Sequence, residues 1–134
     1  VGFHLGETLE AGSVLKALAM AVGGLKSSEQ PIHHSDRGFQ YASHAYVQRV
    51  AKAGMKMSMT ETNHIAENAL AERVNGILKQ EYWLDANFES KLEARRATGQ
   101  GVHLYNHRRP HTALGFRTPE QVHGGQARTK GIPP

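Results

Sequence analysis

A chain of 134 residues, 39% hydrophobic, is long enough for one domain with one modest core. It contains no cysteine, which excludes disulfides and thiolate metal sites. Its formal charge of +4 is compatible with ordinary solubility charge as well as with an anionic partner, and no apolar run approaches the length of a membrane span.

In chain order, Val1 to Leu5 alternates in the manner of a short strand. Thr8 can cap a helix whose apolar residues are Val14, Leu15, Leu18, Ala19 and Val22, ended by Gly23-Gly24. Pro31 to Ser35 reads as a second strand. It delivers Asp36 to a strand end, where catalytic groups of α/β sheets collect. Ser43 can cap a helix with Tyr46, Val47 and Val50 inward and Gly54 beyond its end. Met55 to Met59 reads as a third strand, and Thr60 to Ile65 as a polar loop.

Ala66 to Tyr82 has helical spacing, with Ala66, Leu70, Val74, Ile77 and Leu78 on one stripe. Asn68, Glu72, Asn75 and Lys79 fall on the opposite face. On an arbitrary helix such a face is simply solvated. Trp83 to Phe88 connects to a helix from about Glu89 to Tyr105, whose middle Gly99 and Gly101 weaken. Asn106 to Thr118 is a basic loop. Thr118-Pro119-Glu120-Gln121 starts a last short helix. Residues 124–134 are rich in Gly, Pro and basic residues, as in a disordered tail. Charge is uneven: from Ala94 onward there are seven Lys/Arg and one acid, Glu120, which suits a surface that holds a polyanion.

Asp36 and Glu72 are separated by thirty-five residues, and Lys79 follows Glu72 by seven. Four stretches in order carry more than spacing: HHSDRGFQYAS, GMKMSMT, ENALAERVNGILKQEY and YNHRRPHTALGFRTPEQVH. Together they resemble the catalytic core of DDE transposases of the IS-three kind, relatives of retroviral integrases. The resemblance runs from about Val1 to His123. It implies an α/β, ribonuclease-H-like fold with C-terminal helices, one partial catalytic core over residues 1–123 and a basic tail after it. It matches Asp36 to the second acid of the triad, Glu72 to the third and Lys79 to a basic DNA contact. Glu67 and Arg73 depart from the residues usual in the family at those positions, without touching the triad.

The function implied is metal-dependent cleavage and strand transfer of DNA. Asp36 and Glu72 would be ligands for Mg²⁺ or Mn²⁺, with two ions in the complete enzyme. Lys79, Arg108, Arg109 and Arg117 would be phosphate contacts, with Lys130 a further candidate. Transposon ends and target DNA are the expected partners, in a homo-oligomer with no membrane association. The expected location is cytoplasmic and nucleoid-associated.

The family's first acid lies on an upstream strand. This chain has only two aspartates, Asp36 and Asp85, so the first two strands of the fold are expected to be missing from it. Two readings follow. One is a transposase core that is inactive as this polypeptide alone. The other is an inactive remnant that keeps only a DNA-binding or assembly surface. The histidines compete weakly as metal ligands. His33 and His34 point opposite ways in a strand, and Pro110 breaks the alignment of His103, His107 and His111. His34 remains a candidate hydrogen-bond donor near Asp36, and Tyr105 and His111 are expected to pack.

Overall fold

A computed structural model describes residues 2–7, 10–26, 29–61 and 68–125. Helix α1 spans Ala11–Gly23. It is followed by strand β1 (Ile32–Ser35), the short helix α2 (Phe39–Ala42), α3 (His44–Lys52) and strand β2 (Lys56–Met59). Then come α4 (Ala69–Glu81), α5 (Lys91–His107) and α6 (Pro119–His123). The expected caps and loops at Val1, Thr8 and residues 62–67, and the tail from residue 126, lie outside the described residues. Contacts divide the chain into two compact units, Val1–Arg73 and Val74–Pro134.

In the first unit, β1 and β2 pair in parallel, with Ile32 opposite Lys56 and Ser35 opposite Met59. A parallel pair needs a crossover, and α2 and α3 provide it. Leu18, Tyr46 and Val50 form the buried core, with Val14, Leu15, Val22, Tyr41, Met55 and Met57 against them. Two expected inward positions face outward instead. Ala19 and Val47 are exposed, because each helix buries a narrower stripe than the sequence allows. Ser43 begins α3, but its hydroxyl donates to the Gln40 carbonyl at 2.8 Å and does not cap the helix.

The strand expected at the N-terminus does not form among the described residues: Gly2 to Leu5 has no regular structure. That segment lies against α1 instead. A β-carbon on Gly2 would collide with the Ala17 carbonyl oxygen, so only glycine allows this approach.

In the second unit Ile77, Gly101 and Thr118 are buried. Helix α5 runs unbroken through Gly99 and Gly101, capped by Ser90, whose hydroxyl accepts from the Glu93 amide at 3.1 Å. Gly101 is used for close approach: a β-carbon there would stand 3.3 Å from Tyr82 Cβ and 3.4 Å from Leu84 Cδ1. Thr118 and Gln121 form a reciprocal capping box, with Pro119 at the first turn of α6. The connector after α4 turns through Trp83, whose φ is 58°.

Candidate active site

Asp36 follows the last residue of β1 and is exposed. Its Oδ1 accepts from the Gly38 amide at 2.9 Å, a local turn that orients the carboxylate. Gly38 suits this turn sterically, since a β-carbon would stand 2.9 Å from Asp36 Oδ1 and 2.6 Å from Gln40 Nε2. The strand ends are tied together beside it. The Thr60 amide donates to the Ser35 carbonyl at 3.0 Å, and Arg37 Nε donates to the Thr60 carbonyl at 2.7 Å. Burial, and then the negative charge of Asp36, push the Tyr41 phenol above its ordinary pKa.

The two neighbouring histidines do face opposite ways. His33 is half-buried, and its Nε2 lies 2.8 Å from the Tyr46 hydroxyl. Burial pushes that hydroxyl up to about 12, so it stays protonated and is the donor. His33 Nδ1 is buried without a partner, and burial holds the ring below the ordinary histidine value. His34 Nδ1 bonds the Ser58 hydroxyl at 2.9 Å, because the parallel register sets Ser58 opposite it.

Glu72 lies in the first turn of α4 and is exposed, where a carboxylate suits the unpaired amides of a helix start. Lys79 is in the last turn of the same helix, also exposed. Seven residues make almost two full turns, so both stand on one face about 10 Å apart along the axis. The opposite stripe is thinner than expected. Only Ile77 is buried, Val74 and Leu78 are half-buried, and Leu70 is exposed. Beside Leu70 no described core element covers the first turn.

The three loop arginines divide. Arg108 ends α5 and is exposed, with no side-chain hydrogen bond or ion pair among the described residues. Arg109 grips Glu81 through two nitrogens, Nε to Oε2 and Nη2 to Oε1, each at 2.7 Å. That fork raises the guanidinium above its ordinary pKa. Arg117 Nε donates to the Leu114 carbonyl at 3.1 Å. Tyr105 and His111 pack edge to face at 4.9 Å, as expected. The Arg109–Glu81 pair spans twenty-eight residues and has no local signature, so spacing could not reveal it. Among the described residues no group of three His, Asp or Glu is placed to hold a metal, and no helix is long and apolar enough to cross a membrane.

The integrase core domain matches residues 53–119, half of the chain, taking in α4, α5 and the arginine loop. The chain belongs to this family. The transposase for insertion sequence element IS629 from Shigella sonnei is 36% identical over 122 residues, covering 91% of this chain. This integrase core spans only 41% of that relative's length. Solved integrases show the fold. The simian T-cell lymphotropic virus intasome, in complex with the PP2A regulatory subunit B56 gamma, matches 96% of this chain and 45% of its own at a TM-score of 0.71 and 22% identity. The HTLV-2 integrase catalytic core, solved with magnesium in a trimeric form, matches 85% of this chain and 70% of its own at 0.61 and 22%. The fold is thus the ribonuclease-H-like fold of integrase catalytic cores, as the resemblance implied.

Proposed function

We propose that this integrase core is part of a transposase that cleaves DNA and joins its ends, with Asp36 and Glu72 as catalytic carboxylates. The carrying observation is the family match over Glu72, Lys79 and the arginine loop, together with Asp36 at the carboxyl end of β1. Similarity to a transposase, 36% identical over 91% of the chain, supports the same reading.

The donor chemistry fits a hard divalent cation. Both acids are exposed and offer carboxylate oxygens, and the Gly38 amide leaves the second Asp36 oxygen free of that bond. Asp36 and Glu72 would hold Mg²⁺ or Mn²⁺, two ions in the complete enzyme. When bound, these supply charge stabilisation for an in-line displacement at phosphorus. The chain's own side chains bind and align the DNA. Lys79 offers a point charge on the face that carries Glu72, and Arg108 offers an exposed guanidinium with no partner among the described residues. Arg117 borders the same loop. Arg109 keeps that loop in place through Glu81, and reaches phosphate only if the fork opens. The DNA would be transposon ends and target, bound by a homo-oligomer associated with the nucleoid.

Two titrations test this. Mn²⁺ affinity, read by calorimetry, should fall at least about tenfold in Asp36→Asn and in Glu72→Gln, each having lost one anionic ligand. Duplex DNA affinity should fall with salt, with a shallower log–log slope in Arg108→Ala and a steeper one in Glu81→Gln, which releases Arg109. Unchanged Mn²⁺ affinity in both acid variants would remove the catalytic assignment. Slopes that ignore the arginine loop would move the DNA surface elsewhere.

A further inference from the structure

Phe116 breaks two folding preferences at once. The residue is 71% exposed, so burial does not account for a phenyl ring there. Its φ is 60°, in the left-handed region that a bulky side chain disfavours, directly after Gly115 at 63°. The loop that holds it is tightly bonded. Leu114 and Phe116 amides donate to the His111 carbonyl at 3.0 and 2.9 Å, Gly115 donates to Thr112 at 2.9 Å, and the His111 amide donates to the Arg117 carbonyl at 3.1 Å. A rigid turn therefore holds an aromatic ring in solvent at a backbone cost. Such a departure is a mark of function.

We propose that Phe116 is a stacking platform for an unpaired base of DNA; this rests on the DNA reading above. Charge selects the occupant. Arg117 follows the ring directly, Arg108 precedes the loop, and the section from Ala94 onward has seven Lys/Arg against Glu120 alone. Phosphates flanking a base would meet cations there, and a phenyl face stacks on any base. Bases in a duplex are already stacked, so the ligand is a base at a frayed end or in a single strand. Trp83 shares the geometry, with φ 58° and 75% exposure, but acids lie on both sides of it in sequence, Glu81 and Asp85. The same reasoning therefore assigns it no base.

The test measures anisotropy of a labelled single-stranded oligonucleotide and of its duplex. Phe116→Gly should lose about tenfold in single-strand affinity, with duplex affinity and salt slope nearly unchanged. Its melting temperature should not fall, because glycine suits the turn. Phe116→Leu should show the same single-strand loss while keeping apolar bulk, Phe116→Tyr should retain affinity, and Trp83→Gly should be neutral. Wild-type single-strand affinity in Phe116→Gly and Phe116→Leu, with DNA still bound, overturns the inference and leaves the DNA reading intact. A change of oligomeric state in those variants without loss of single-strand affinity also overturns it, in favour of a second copy as occupant. Absence of all DNA binding in the wild type overturns the reading beneath it, and the inference with it.

Discussion

Two glycines two positions apart on α5 should respond oppositely to the same methyl group. Around Gly99 a new β-carbon meets nothing within 4 Å. Gly99→Ala should therefore return most of the helix-propensity difference, about 0.8–1 kcal/mol of added stability. At Gly101 the same gain is opposed. The β-carbon would stand 3.3 Å from Tyr82 Cβ and 3.4 Å from Leu84 Cδ1, inside the optimal carbon–carbon distance of about 3.5–4.0 Å. Leu84 can rotate away, but Tyr82 Cβ moves only with its backbone. Overpacking of this kind costs about 1 kcal/mol at its low end, so Gly101→Ala should be neutral or slightly destabilising. Gly101→Leu should lose about 2 kcal/mol or more. Urea unfolding followed by fluorescence of Trp83, the single tryptophan, reads this unit directly. The decisive quantity is the difference between the two alanine variants, expected to be about 1 kcal/mol. If Gly101→Ala stabilised as much as Gly99→Ala, the packing of α5 on Tyr82 and Leu84 would be wrong. If both destabilised, α5 would not be helical through its centre.

Acid should weaken the first unit through His33. Its folded pKa lies below the ordinary 6.5, so the unfolded state takes up the proton first. Stability is full above pH 6.5 and falls as pH drops from there toward the folded value, by at most about 1.4 kcal/mol per pH unit. In His33→Gln that part of the pH dependence should vanish from urea midpoints measured between pH 7 and 5. A slope that survives the substitution would place the titrating group elsewhere. Thr118→Ala should cost about 1–2 kcal/mol, because it removes a buried cap and leaves the Gln121 amide without its acceptor. A change below about 0.3 kcal/mol in thermal unfolding would show that α6 does not depend on its capping box.

The parts of the fold that were readable in the sequence are those set by local chemistry. The helix spacing across residues 69–81, the Thr118-Pro119 start of α6, and the strand ahead of Asp36 each depend on residues close in the chain. Where distant partners decide, spacing misleads. Val1 to Leu5 alternates like a strand, but Gly2 seats the segment on α1. Leu70 falls on the apolar stripe by spacing, yet it is 80% exposed. Gly101 weakens a helix by propensity alone, yet Tyr82 and Leu84 give it a neighbour to approach. Of the candidate site, Asp36, Glu72 and Lys79 were legible as residues at strand and helix positions. The commitment of Arg109 to Glu81 was not, since a contact between distant side chains leaves no periodicity. Phe116 could have been suspected from Gly115 before it, because glycine there hints at a left-handed turn.

The parallel pairing of β1 with β2 bears on how the protein assembles. Each residue of β1 meets one only twenty-four positions later, as His34 meets Ser58. Between them lie helices that bury Tyr46 and Val50 against α1. Such short sequence separations favour rapid closure, since the entropy lost on forming a loop grows with its length. During synthesis the β1–β2 pair can close once Thr60, which ties the strand ends, has left the ribosome. At that moment the strand end and turn that carry Asp36 already have their final form. The helix that bears Glu72 has yet to be made. Asp36 thus stands on a formed strand end before Glu72, thirty-six positions later, is made.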